Sequence, residues 1–119
     1  MVLRQGVFVG HGNKYEERHG GITMISQKYY FFYFQSNKVF KKEVWIYLDK
    51  PFSIEDHIAA FVRETKEDIP EIWKGSFVIT DNILEISLVF NSQVFKEEYT
   101  ILSPEIIIDK NLIEHKFVK

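Results

Sequence analysis

Residues 75–117 read GSFVITDNILEISLVFNSQVFKEEYTILSPEIIIDKNLIEHKF, and the alternation of apolar and polar side chains along this stretch decides the fold. A two-residue turn at Asp81-Asn82 pairs Ile79 with Leu84, Phe77 with Ile86 and Gly75 with Leu88, and sets Val78 opposite Glu85 on the other face. A turn at Asn91-Ser92 then brings Leu88 to Phe95, Ile86 to Glu97 and Leu84 to Tyr99. With Ser103-Pro104 turning, Ile101 meets Ile106 and Tyr99 meets Ile108; with Lys110-Asn111 turning, Ile108 meets Ile113 and Ile106 meets His115. These registers carry one apolar face through five strands, and a slip of one residue in any of them would exchange the faces. The other face holds Glu85, Ser87, Lys96, Glu98, Thr100 and Glu114 and reads as solvent. The pattern is an antiparallel meander with one buried and one wet face.

Upstream lies a helix. Ser53 can cap it, Glu55 and Asp56 suit its first turn, and Ile54, Ile58, Phe61 and Val62 share one face before Asp68-Ile69-Pro70 ends it. So short a helix needs an apolar surface to lie on. Further upstream, Tyr29-Tyr30-Phe31-Phe32-Tyr33-Phe34 is aromatic on both faces, and Lys38 to Leu48 offers apolar residues on both as well. The turn around Ser36-Asn37-Lys38 is ambiguous by one residue, so residues 1–48 take no inside or outside assignment. A strand apolar on both faces needs cover on both, from the helix or from a second copy in a homodimer through this aromatic hairpin. Gly10, Gly12, Gly20 and Gly21 mark the one stretch expected to be a mobile loop.

One strand near the N-terminus, two around residues 28–48 and five from residue 75 make eight. Eight antiparallel strands on short turns form a two-sheet sandwich or an up-and-down barrel, and closure is favoured because it removes hydrophobic edges. The expectation is a mainly β chain: an eight-stranded antiparallel up-and-down barrel with one α-helix between the third and fourth strands, in a single domain over residues 1–119.

Composition narrows the function. Fifteen basic against seventeen acidic residues give a net charge of −2, so no overall field gathers nucleic acid or anionic lipid. The aromatic run is flanked by Lys28 and Lys38 but lacks the basic frame of a base-stacking platform. The absence of cysteine excludes disulfides, thiol nucleophiles and thiolate metal sites. No apolar run has the length of a membrane span. Arg4 interrupts what would be the apolar core of a leader in Val2–Val9. The expected compartment is the cytoplasm if the chain is full length, or the cell envelope if a leader preceded Met1.

Three polar side chains fall on the inward face: Glu97, Tyr99 and His115. A carboxylate on an apolar wall must be paired, hydrogen-bonded or protonated. Glu97 is thus either a group that orients a ligand or a rim residue reaching water opposite Lys110. His115 has the same two readings, with Tyr99 or a backbone carbonyl as its structural partner. His11, Tyr15, Glu17 and His19 alternate onto one side of an extended segment, but the two histidines would stand about 27 Å apart at about 3.4 Å per residue. Gly10 and Gly12 open no helix, and Ser76 does not sit at a strand-to-helix elbow. Neighbouring carboxylates at Glu16-Glu17 and Glu97-Glu98 point to opposite faces. No enzyme, cofactor or metal is expected.

The opening Gly6-Val7-Phe8, the aromatic hairpin Tyr33-Phe34-Gln35-Ser36-Asn37-Lys38-Val39-Phe40 and the segment Trp73-Lys74-Gly75-Ser76-Phe77-Val78-Ile79 with its hairpin resemble the lipocalin-like domains of small bacterial envelope proteins. The chain departs from that pattern in its helix position and in Asn37-Lys38 at the hairpin turn. The resemblance implies a calycin-type barrel whose mouth or interior takes a hydrophobic or amphipathic small molecule. The polar end of the ligand would then meet Glu97, Tyr99 and His115, and its apolar part Phe77, Ile86 and Ile108. The alternative is a protein-interaction or structural module using the aromatic hairpin or the helix face. A hollow interior separates the two, because Phe77, Leu88, Phe95, Ile101 and Phe117 filling the barrel would leave a ligand no room.

Overall fold

The computed structural model describes residues 2–119. Strands β1 (Gly6–His19), β2 (Ile22–Gln35) and β3 (Lys38–Tyr47) precede helix α1 (Ile54–Glu64). Strands β4 (Trp73–Thr80), β5 (Ile83–Phe90), β6 (Gln93–Ser103), β7 (Ile106–Ile108) and β8 (Glu114–Phe117) follow it. Each strand pairs antiparallel with the next, and β8 returns to β1, closing an eight-stranded barrel.

The β4–β5–β6 meander has the register the alternation dictates: Gly75 opposes Leu88, Phe77 opposes Ile86, and Glu97 and Tyr99 oppose Ile86 and Leu84. Its turns use left-handed residues, Asp81 in the first and both Asn91 and Ser92 in the second, as tight hairpins require. After Ile101 the expected register fails. A bulge between Ile101 and Ser103 adds Leu102 to β6, so Ile101 opposes Ile107 rather than Ile106, and Thr100 rather than Tyr99 opposes Ile108. Ile107 is therefore the inward residue, and Ile108 faces out. The next connection is also longer than a two-residue turn. Asp109 Oδ1 accepts the amides of Asn111 and Ile113 at 2.8 and 3.0 Å, Leu112 is left-handed, and His115 opposes Ile107. The two shifts cancel, which leaves His115 inside and 1% exposed.

The aromatic hairpin divides by parity. Phe8, Phe32, Phe34 and Val39 point into the barrel, while Val7 and Phe31 point out. The outer set is covered by α1, capped by Ser53, whose hydroxyl accepts the Asp56 amide. Ile58 and Phe61 bury themselves against Phe31 and Val7, and Ile72 completes the cluster. Of the two covers the two-faced hairpin calls for, the helix thus supplies one, over Phe31 and its outward neighbours.

Inside, aromatic rings are in contact. Phe34 meets Phe8 at 5.4 Å and Phe77 at 5.2 Å between centroids, and Phe32 meets Phe34 at 5.9 Å and Tyr99 at 5.5 Å. These are ordinary packing distances for rings. Leu84, Ile86, Leu88, Ile101 and Ile107 fill the rest, and Leu3 joins them from the N-terminal segment that bonds to Pro104. The glycine-rich stretch is a strand rather than a loop: β1 and β2 run on past the barrel as a ribbon, turning only at Gly20-Gly21. Gly10 lacks a side chain because the His115 ring occupies the space a Cβ would need.

Candidate functional site

One end of the barrel is polar. Lys41 shares the parity of inward Val39 and is 3% exposed. Its Nζ donates to Glu97 Oε2 at 2.7 Å and lies 3.1 Å from Glu43 Oε2, whose other oxygen meets Lys28. Tyr99 donates its hydroxyl to Glu97 Oε1 at 2.7 Å. The rings of Trp73, Phe32 and Tyr30 stand 5.0, 5.4 and 5.8 Å from the Lys41 ammonium, within cation–π range. The result is a chain of alternating charge, Lys28–Glu43–Lys41–Glu97, ending on Tyr99. The cation that meets Glu97 is Lys41, reaching it from across the barrel, rather than the Lys110 of the rim reading, which is exposed in a turn.

The electrostatics follow from this crowding. Burial works to raise the Glu43 carboxyl, but Lys28 and Lys41 overcome it and hold the group below its ordinary value. The bond to Glu43 raises Lys28 against the opposing effect of burial. Burial first, then the Glu97 carboxylate, push the Tyr99 phenol well up, so it serves as a donor.

His115 lies deeper, edge-on to the rings of Tyr30, Phe32 and Tyr99 at 5.4 to 5.7 Å. Neither ring nitrogen has a hydrogen-bond partner among the described residues; Asp109 Oδ2, at 3.6 Å from Nε2, is too far to accept one. Burial lowers His115 below its ordinary 6.5, with Lys41 acting in the same direction and Asp109 and Glu97 opposing. The folded protein keeps the ring neutral where the unfolded chain takes up a proton. Stability contributed here is therefore full above 6.5 and lost as pH falls below it. The urea midpoint is expected to drop between about pH 7.5 and 5.5 in the natural protein and to stay flatter in His115→Gln. An equal drop in both proteins would assign the effect to another group.

Of the expected ligand contacts, Glu97, Tyr99 and His115 gather at or just below this mouth. Phe77 and Ile86 belong to the packed interior, and Ile108 lines an outer groove beside Val9 and Ile54. Lys41 and Glu43 escaped the sequence reading. Their signal, two charges two residues apart after inward Val39, needed a register that the two-faced aromatic run did not give.

The described residues also form clefts outside the barrel. One of about 580 Å³ lies where the segment after α1 crosses β3, β4 and β5. Phe40, Ile69, Pro70, Ile72 and Val89 line it, with Lys38, Lys74 and Asp68 among its polar residues. Lys74 contacts Asp68 at 3.3 Å, while Lys38 makes no ion pair among the described residues. A second, more polar groove of about 1160 Å³ runs beside β1 and β8; there Gln27 donates to the Gly12 carbonyl at 2.8 Å. Comparison with family models, curated proteins and solved structures found no match to this chain. Among the described residues no helix is long and apolar enough to cross a membrane.

Proposed function

We propose that this chain is a lipocalin-like, non-enzymatic barrel that binds a small amphipathic molecule, and that it does so in the outer cleft against β3–β5 rather than inside the barrel. The observation that carries this reading is the contrast between an interior filled by contacting rings and a 580 Å³ cleft with apolar walls and an unpaired lysine. Small-molecule sites are typically about 300–1,000 Å³, mostly apolar, with a few polar groups that orient the ligand. Lys38 suits a carboxylate at one end of the ligand, and Phe40, Ile72 and Val89 suit its chain. Against the interaction-module alternative weighs the packing of Phe31 and Val7 on Ile58 and Phe61, which places part of the aromatic hairpin and the helix stripe against each other.

Dodecanoate titrated into isotope-labelled protein is expected to shift the amide resonances of Phe40, Ile72 and Val89 and to saturate. Val89→Glu, which places a charge on the cleft wall at a half-exposed position, is expected to weaken binding about tenfold or more. Shifts centred on Phe32, Tyr99 and His115 would instead mean that the interior opens. The absence of any saturable shift would end the small-molecule reading.

A further inference from the structure

β1 leaves the barrel with one edge bare. β8 and the two residues after it pair with it from Val7 only as far as Gly10, whereas β2 stays paired along its other edge as far as His19. Among the described residues no strand covers the outer edge of residues 13–19. A long free edge is a template for another strand unless its charges refuse one. Lys14, Glu16, Glu17 and Arg18 line this edge, so two copies pair along it only in a register that opposes no like charges.

Parity restricts the choice. Tyr15 opposes Ser26 and Glu17 opposes Met24, so Tyr15 and Glu17 share one face and Lys14, Glu16 and Arg18 the other. A two-fold axis perpendicular to the sheet keeps the faces of two antiparallel copies matched only if it passes through a residue pair. Centred on Lys14, Glu16 or Glu17, it sets that charge against itself. Centred on Tyr15, it sets Lys14 against Glu16 twice, Asn13 against Glu17 twice, and Tyr15 against Tyr15. No like charges meet in that register, and cross-strand pairs of opposite charge and of aromatic rings are the stabilising kind. Tyr15 is 53% exposed and already touches Trp45, itself 55% exposed, so the axis falls on an uncovered aromatic patch.

We propose that the protein forms a two-fold dimer by pairing residues 12–18 of β1 with the same residues of a second copy, centred on Tyr15. The two β1–β2 ribbons join edge to edge into one antiparallel sheet with a barrel at each end. This proposal does not rest on the outer cleft, and its test involves no ligand.

Sedimentation equilibrium from about 1 µM to 1 mM is expected to show a reversible dimer. Glu16→Lys and Lys14→Glu each oppose like charges twice in this register and are expected to weaken the dimer about tenfold or more. Mixing the two variants in equal amounts restores both complementary pairs and is expected to give a heterodimer as tight as the natural homodimer. Both positions are exposed, and unchanged thermal unfolding at low concentration will show that the variants fold. A natural chain that stays monomeric throughout would overturn the proposal, as would a dimer indifferent to the single substitutions or variants that fail to associate when mixed.

Discussion

Gly75→Ala is expected to destabilise the protein by about 3 kcal/mol or more, which is a large part of the stability of a small domain. Gly75 sits within β4 opposite Leu88 on one side and Val39 on the other. A Cβ there would overlap the Ser87 carbonyl oxygen and crowd the Ser87 carbonyl carbon and Leu88 Cα. All three are backbone atoms, so no rotamer change relieves the overlap and β4 and β5 must move apart. Gly12→Ala is the control. A Cβ there meets only the Tyr30 ring and Ile113 at 3.8 to 4.0 Å, an ordinary contact, and the expected change is under about 1 kcal/mol in either direction. Urea unfolding of the two variants side by side would measure the difference, and equal effects would refute the close strand approach at Gly75.

Lys41→Met comes next. Removing one member of a buried ion pair typically costs about 3–5 kcal/mol because the other is left without its counter-charge. Glu97 and Glu43 keep 23% of their side-chain exposure, so water compensates part of the loss. About 2–3 kcal/mol is expected at pH 7. The deficit should shrink as pH falls through 4.5, the ordinary value of the Glu43 carboxyl, because without Lys41 that carboxylate takes up a proton more readily. Lys41→Met combined with Glu97→Gln should recover part of the loss, since the pair as a whole matters less than its broken half. A loss below about 0.5 kcal/mol at pH 7 would show that the network adds nothing net to stability.

The sequence was most legible where alternation was strict and turns were short. From Gly75 to Tyr99 both conditions hold, and every pairing follows from them. The run Ile106-Ile107-Ile108 is apolar at each position, so it cannot report the shift introduced by Leu102. The loop from Asp109 to Ile113 contains no glycine, because Asp109 ties it together from within and Leu112 takes the left-handed conformation. His115 was placed correctly through two shifts that cancel. Tyr29–Phe34 hides its parity in the same way, with one set of rings turned into the barrel and the other under α1, and Lys41 and Glu43 were hidden with it. Polar groups are legible where the register is clear and hidden where aromatic residues on both faces erase it.

The closing of the barrel by β8 on β1 bears on how the chain comes to fold. Phe8 meets Phe117, and the Val118 amide bonds to the Val7 carbonyl, so this seam joins residues 109 and 111 positions apart in sequence. The β4–β5–β6 hairpins need only local loops and can form early. The seam needs one long loop, and topologies that depend on such distant pairings fold slowly. During synthesis β1 and β2, with Phe8, Phe31, Phe32 and Phe34, leave the ribosome long before β8 exists to cover the edge of β1 that β2 leaves open. For that interval the most aromatic part of the molecule is an open sheet, and protection of the nascent chain depends on how soon α1 settles over its outer face.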